Sequence, residues 1–282
     1  MVSVTAPKTG MPIGNAEAGF YPPDITISNL AWPQYANLRE DSLFVLPIGA
    51  LEPHGAHMPL ATDSVVASFM AREVQGAGLR VAILPTLLYG HKTSPMAMGG
   101  LMPGGISLRS ETLRAVIGDV LDACYREGVR RFLILNAHIA NVPVIFEAVD
   151  AFCNTASDAT VMAASWWDFV TEGTRDAIAE ATGVPRTHDH HAALAETSLL
   201  LHLAPELVAE TEISDDCSTR RVDYLILPFP DRSATRTGTV FRARGATADI
   251  GEELWTEMSA NLLRAIRIEF GAVSASDPEK VG

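Results

Sequence analysis

The stretch ALEPHGAHMPLATDS, residues 50–64, gathers Glu52, His54, His57 and Asp63 in one short run. Imidazole nitrogen and carboxylate oxygen are the donors that Zn, Mn and Fe accept, at roughly 2.0–2.2 Å from the ion. In Glu52-Pro53-His54 an extended backbone points residues 52 and 54 the same way. Each can then contact a different ion of a pair roughly 3.5–4 Å apart. A carboxylate has two oxygens, which makes Asp63 the candidate bridge. His57 reads as support for a neighbouring ligand rather than as a ligand.

A half-site needs its other half, and three further places supply candidates. His138 follows the apolar run RRFLILNA immediately. Glu196 opens the apolar helix ETSLLLHLAPELV. HDHH (188–191) offers His191, placed just ahead of that helix as a proton shuttle, with His188 and His190 as pocket lining. Each has a plainer reading: Asp63 as a helix cap, His138 as a loop histidine, Glu196 as a first-turn acid, HDHH as surface imidazoles. One shared site accounts for them more simply than separate coincidences. Trp166 and Trp167 would wall the pocket, and at least one of them belongs to the core. His91 and His202 read as structural.

The elements that must position these residues alternate. SLFVLPIGA (42–50), VAILPTLLYG (81–90), RRFLILNA (130–137) and TVMAASWW (160–167) are continuous apolar runs, which suit parallel strands covered on both faces. Helical patterns lie between them: one after Asp63, then 110–128 with Ser110 as its cap, 142–154, 196–208 and 259–271. The β-α alternation predicts a three-layer α/β/α sandwich with a mostly parallel central sheet. In such sheets ligands bind beyond the carboxyl ends of the strands, where these donors fall. The domain is expected over 25–272, with an arm at 1–24, an irregular excursion at 209–250 and a tail at 273–282.

Composition narrows the function. Lys and Arg number 21 against 34 Asp and Glu, so the net charge is 21 − 34 = −13, which excludes nucleic acid and anionic membranes as expected partners. Three cysteines without CxxC spacing offer neither a disulfide framework nor a thiolate site; Cys124 and Cys153 read as buried packing residues. No stretch reaches the ~20 apolar residues of a membrane span, and a cytoplasmic protein is the expectation.

PIGALEPHGAHMPLATD resembles the opening motif of the creatininase family, a Glu-x-His-Gly-x-His-x-Pro run followed by an aspartate. NAHIAN (136–141), LMPGGISL (101–108), SWWDFV (165–170) and HAALAETSLLL with APELV (191–208) resemble four later family segments in the same order. The resemblance implies a metal-dependent amidohydrolase, oligomeric and often hexameric, with two divalent ions per subunit, Zn foremost and Mn or Fe as alternatives. It places Glu52, Asp63 and His138 on one ion, and His54 with a bridging Asp63 on the other. His191 matches the family's catalytic-site histidine. Family members that hydrolyse creatinine carry a glutamate ligand two residues after the matched histidine, preceded by a tyrosine. Here those positions are Ala140 and Ile139, and Glu196 is the nearest replacement ligand. The tryptophan covering their substrate is replaced by Thr187 or His188, and the Pro-Gly-Thr loop becomes Pro103-Gly104-Gly105.

The expected activity is hydrolysis of a small, cyclic amide other than creatinine. A hydroxide shared by the ions would attack the carbonyl, and His191 would protonate the departing nitrogen. Trp166, Trp167, His188, Ile139 and Gly104 are the expected substrate contacts. Two other readings stay open: a deformylase or peptidase of the same family, and a non-catalytic metal-binding or assembly protein.

Overall fold

The computed structural model describes residues 26–77, 79–91, 102–217 and 235–271. Four strands, β1 (Leu43–Ile48), β2 (Val81–Ile83), β3 (Arg131–Asn136) and β4 (Thr160–Ser165), form one parallel sheet in the order β2-β1-β3-β4. All six residues of β1 are buried, because the sheet is covered on both sides. Leu43 and Val45 face one apolar cluster, whereas Phe44, Leu46 and Ile48 face the other. Pro47 is tolerated in this central strand because its carbonyl side faces Leu87, beyond the point where β2 has ended at Ile83.

The outer layers are helical. On one face lie α3 (Ser110–Arg126) and α4 (Val142–Cys153). Leu113, Ile117 and Leu121 form a fully buried stripe on α3, each contributing about 1.5–3 kcal/mol by leaving water. The other face carries α2 (Thr62–Gly76), α6 (Leu194–Leu203) and α7 (Ala248–Phe270). Helices α6 and α7 approach closely at Gly251, where an added Cβ would lie 2.0 Å from the Ser198 carbonyl oxygen. Two further helices are α1 (Trp32–Ala36) and α5 (Glu172–Thr182).

The three-layer expectation holds, with local corrections. The run 81–90 is a strand only over its first three residues: the Leu84 N–H still reaches the Val45 carbonyl, but the next rung to β1 is made by Leu87, one residue out of step. Trp166 and Trp167 leave β4 for a 3₁₀ turn, Trp166–Phe169, fastened by the Asp168 carboxylate accepting from the Ser165 N–H. Ser110 is the first helical residue rather than the cap. The last helix begins at Ala248, eleven residues before the expected start, with the Thr247 hydroxyl accepting from the Ile250 N–H. Helix α6 ends at Leu203, and a separate 3₁₀ turn, Pro205–Leu207, follows it. Cys124 is buried, but Cys153 is only partly so. The arm at 1–24, the tail at 273–282 and residues 218–234 of the excursion lie outside the described residues. Among the described residues no helix is long and apolar enough to cross a membrane.

Candidate metal centre

Where β1 ends, Gly49 lets the chain pass the first turn of α2: a Cβ there would sit 2.3 Å from the Ser64 backbone nitrogen. That passage brings the segment carrying Glu52 and His54 against Asp63, at the start of α2. From the neighbouring strand end, β3, comes His138. Its loop is pinned by two asparagines. The Asn136 side chain donates to the His138 carbonyl (2.9 Å) and accepts from the His138 N–H (3.1 Å). Asn141 donates to the Gly49 carbonyl (3.0 Å) and accepts from the His91 N–H (2.7 Å). The asparagines stand in the sequence segment NAHIAN, but only the fold gives them this work.

The two histidines are oriented alike. His54 Nδ1 lies 2.9 Å from the Glu52 carbonyl, and His138 Nε2 lies 3.1 Å from the His91 carbonyl. A carbonyl only accepts, so each of these nitrogens carries the hydrogen and the opposite nitrogen presents a lone pair when the ring is neutral. Those opposite nitrogens face carboxylates. His54 Nε2 is 3.0 Å from Asp63 Oδ1 and 4.0 Å from Glu196 Oε2. His138 Nδ1 is 3.0 Å from Asp63 Oδ2 and 3.1 Å from Glu52 Oε2. Asp63 thus turns one oxygen to each imidazole.

Despite these short separations, neither His54 Nε2 nor Asp63 Oδ2 completes a hydrogen bond among the described residues. Both atoms are fully buried, and buried polar atoms are normally satisfied. Buried carboxylate and imidazole donors converging this closely are arranged to share a cation. Two triads with all donor atoms within 4.8 Å share Asp63: Glu52, Asp63 and His138, and His54, Asp63 and Glu196. A third combination joins Glu52, His54 and His191. The donor set is purely N and O, which fits Zn, Mn or Fe.

The electrostatics agree. Burial opposes charge on His54, but Asp63, Glu196 and Glu52 outweigh it and hold the imidazole up at about 10. His138 is likewise held at about 10, against burial, by Asp63 and Glu52. Asp63 and Glu52 are lowered, the imidazoles overcoming the opposing effect of burial. Glu196 is raised, chiefly by burial. Protons therefore occupy the histidines where a cation would otherwise sit.

Glu196 arrives from α6 through a strained turn. Ala192 adopts φ 48°, and its N–H donates to Glu196 Oε2 at 2.6 Å. The same turn places His191, whose Nε2 lies 2.9 Å from the Pro53 carbonyl and whose Nδ1 lies 3.9 Å from Glu196 Oε2. His57 bonds through Nε2 to the Thr197 hydroxyl at 2.9 Å, and burial with the neighbouring His54 pushes it down to about 4. It is a neutral strut between the first motif and α6.

The donors open into a cavity of 650 Å³. Trp166, Trp167, Ile139 and His190 line it alongside Glu52, Asp63, His138, His191 and Glu196. Two expected contacts lie elsewhere. His188 stacks on Phe241 with ring centroids 5.1 Å apart, and Gly104 packs by Leu60. Neither is among the lining residues. The sequence reading missed the wall formed by Val170, Arg175, Ile178, Val184 and Arg186 around α5. Its signals were present: the Thr171 hydroxyl caps α5, and Gly183 closes it at φ 67°.

The creatininase family model, creatinine amidohydrolase, matches residues 28–266. Creatinine amidohydrolase of Pseudomonas putida is 28% identical over 254 residues, covering 87% of this chain and 97% of that protein. Mycofactocin precursor peptide peptidase of Mycobacterium tuberculosis is 27% identical over 237 residues, covering 79% and 83%. Solved creatininase structures, one with Mn and a variant of Zn-Zn type, align at TM-score 0.80 and 28% identity over 87% of this chain and 98% of theirs. With a parallel α/β fold, acidic and imidazole donors from two strand ends and two helix starts gathered at one place, and a family match across most of its length, the chain belongs to the creatininase family of metal-dependent hydrolases.

Proposed function

We propose that residues 25–272 form one amidohydrolase domain that cleaves the C–N bond of a small cyclic amide, a lactam, imide or hydantoin, and that creatinine is not its substrate. The observation that carries the reading is the pair of donor triads sharing Asp63 at one end of a largely apolar cavity. Glu52, Asp63 and His138 would hold one ion, and His54, Asp63 and Glu196 the other. Bound there, two divalent ions supply a Lewis acid for the carbonyl and make water acidic enough to attack at neutral pH.

The chain's own groups do the rest. The Pro53 carbonyl fixes the His191 ring so that Nδ1 faces Glu196 and the cavity. With Nε2–H donated to that carbonyl, Nδ1 offers the lone pair that would take a proton from the attacking water and pass it to the departing nitrogen, which must be protonated to leave as an amine. Trp166 and Trp167, packed edge to face at 5.6 Å, exclude water beside the reacting bond. Ile139 and Ala140 stand where creatinine-hydrolysing members have tyrosine and glutamate, which argues against creatinine.

The test is a substrate panel of lactams, imides, hydantoins and creatinine, run on protein with its metal content measured. Hydrolysis of a ring other than creatinine, lost on dialysis against chelator and restored by Zn or Mn, is the expected result. Activity that survives complete metal removal would refute the reading. The family also contains a peptidase, so N-formyl compounds and short peptides belong in the same panel. Activity confined to those would replace the cyclic amide with a linear one. One bound ion or none, with no turnover of any member, would favour a non-catalytic metal-binding or assembly protein.

A further inference from the structure

The cavity is larger than a small amide ring requires. At 650 Å³ it spans the volume of roughly twenty waters, each about 30 Å³. Protein cores otherwise close to near-crystalline density, with few voids larger than one water. This space is bounded by Val170, Ile178, Val184 and Leu254, all of them buried members of the apolar cluster beneath α5 and α7. The donors come from the ends of β1 and β3, whereas Val170, Ile178 and Val184 come from the turn after β4 and from α5 and the residues beyond it. The cavity therefore runs from the central strands toward the edge-strand side, with carboxylates and imidazoles at the first end and, toward α5, these apolar side chains beside Arg175 and Arg186.

Two cations lie on that wall, and both are engaged. Arg175 donates to the Trp167 and Val170 carbonyls. Arg186 pairs with Glu172 and with Asp176, the latter at 3.0 Å. With both guanidinium groups committed, the far arm suits an uncharged apolar group better than a carboxylate.

We infer that the substrate amide carries a bulky uncharged apolar substituent, aryl-alkyl or branched alkyl, that enters the arm beneath α5 while the amide faces the donor triads. This rests on the reading above only for where the amide sits. The substituent would supply binding through area removed from water, about fourfold in affinity for each buried methylene.

The experiment is calorimetric titration of the zinc-loaded full chain with acetohydroxamate, butanohydroxamate, hexanohydroxamate and 3-phenylpropanohydroxamate, probes that address the ions directly. Affinity is expected to climb by about fourfold per methylene along the alkyl series. The aryl member should bind at least tenfold more tightly than acetohydroxamate. Ala179→Phe, which fills the arm from α5, should flatten the series, and Ile178→Ala should shift the optimum to a longer tail. A flat series with acetohydroxamate still bound would overturn this inference and leave the metal-site reading standing. Failure of every hydroxamate on protein holding two zinc ions would overturn the placement of the ions, and this inference with it. An unchanged slope in both variants would also overturn it, since the tail would then lie elsewhere.

Discussion

Replacing Glu196 by glutamine tests whether a carboxylate from α6 completes the second triad. In the proposed site two dications face the carboxylates of Glu52, Asp63 and Glu196 with neutral imidazoles, for a net charge of 4 − 3 = +1. The E196Q change raises it to 4 − 2 = +2. Glu196 Oε2 lies 4.0 Å from His54 Nε2, so an ion between them sits within that distance of the lost charge. At 4 Å and an effective dielectric near 20, one elementary charge is worth about 4 kcal/mol. The dication doubles the attraction, and the retained amide oxygen and solvent return a share. The working figure is therefore about a thousandfold weaker binding of one ion, at about 1.4 kcal/mol per tenfold. The amide oxygen can still accept from the Ala192 N–H, so the turn should persist and the thermal midpoint should change little. The assay is elemental analysis after dialysis against a zinc buffer that just saturates the wild type. Expected stoichiometry falls from two ions per chain to one, with the ion at Glu52, Asp63 and His138 retained. Two ions held with an unshifted binding curve would refute the reasoning and reduce Glu196 to an acceptor for its own turn.

Asp63→Ala should abolish both ions and all hydrolysis, because each triad uses one of its oxygens; His138→Ala should leave a single ion, and metal counts that are the same in both variants would contradict the shared carboxylate. Metal uptake should release protons. His54 and His138 are held at about 10 in the ion-free protein, so near pH 8 both carry a proton that the ions must displace, about two per chain. Titration in two buffers of different ionisation heat measures that number, and a value near zero would contradict the assignment. The same shifts set a stability window. A histidine raised above its unfolded value of ~6.5 stabilises fully below that pH and loses the contribution as pH climbs through 10. Ion-free protein should therefore lose stability between about pH 6.5 and 10, a decline that denaturant melts on zinc-loaded protein should lack. Asn141→Ala strips buried partners from the Gly49 carbonyl and the His91 N–H, at a cost of about 1–3 kcal/mol for each group left unsatisfied. Urea unfolding would measure the loss, and no change would mean the loop holds without it.

The layers and the donors could be read from the sequence for one reason. A strand buried on both faces must be continuously apolar, and in a parallel sheet the residues just past such a run fall on one rim. Glu52, His54 and His138 are placed by that rule, and Asp63 follows because α2 packs back onto β1. What could not be read depends on contacts between distant segments. The ladder of β2 slips by one residue after Leu84, Pro47 is tolerated inside β1, and only the neighbouring segments show either. The last helix starts at Ala248, inside the stretch expected to be irregular, and its Gly251 is required by the approach of α7 to Ser198. Helix α5, with few buried positions of its own, has a weak apolar pattern because much of its inner face borders a cavity instead of core. Gly104 and His188 fall outside the lining of this cavity, the one beside Leu60 and the other stacked on Phe241.

The substitution at Ala140 ties these observations together. A glutamate at that position would supply its carboxylate from the short turn after β3, Ile139–Asn141, on the same loop as His138. In the proposed site the third carboxylate is that of Glu196, which stands 4.0 Å from His54 on α6, in the helical layer opposite α4. Alanine at 140 leaves the turn after β3 without a carboxylate. Ile139, 59% exposed, can then serve as an apolar lip of the cavity instead of as neighbour to a ligand. On the proposed reading, position 140 bears on the metal site and on the pocket alike. Restoring a glutamate at 140 in the E196Q background should return the second ion while narrowing the mouth. Metal analysis beside the hydroxamate series would separate those two effects: recovery of metal without any loss of preference for long tails would break the link between them.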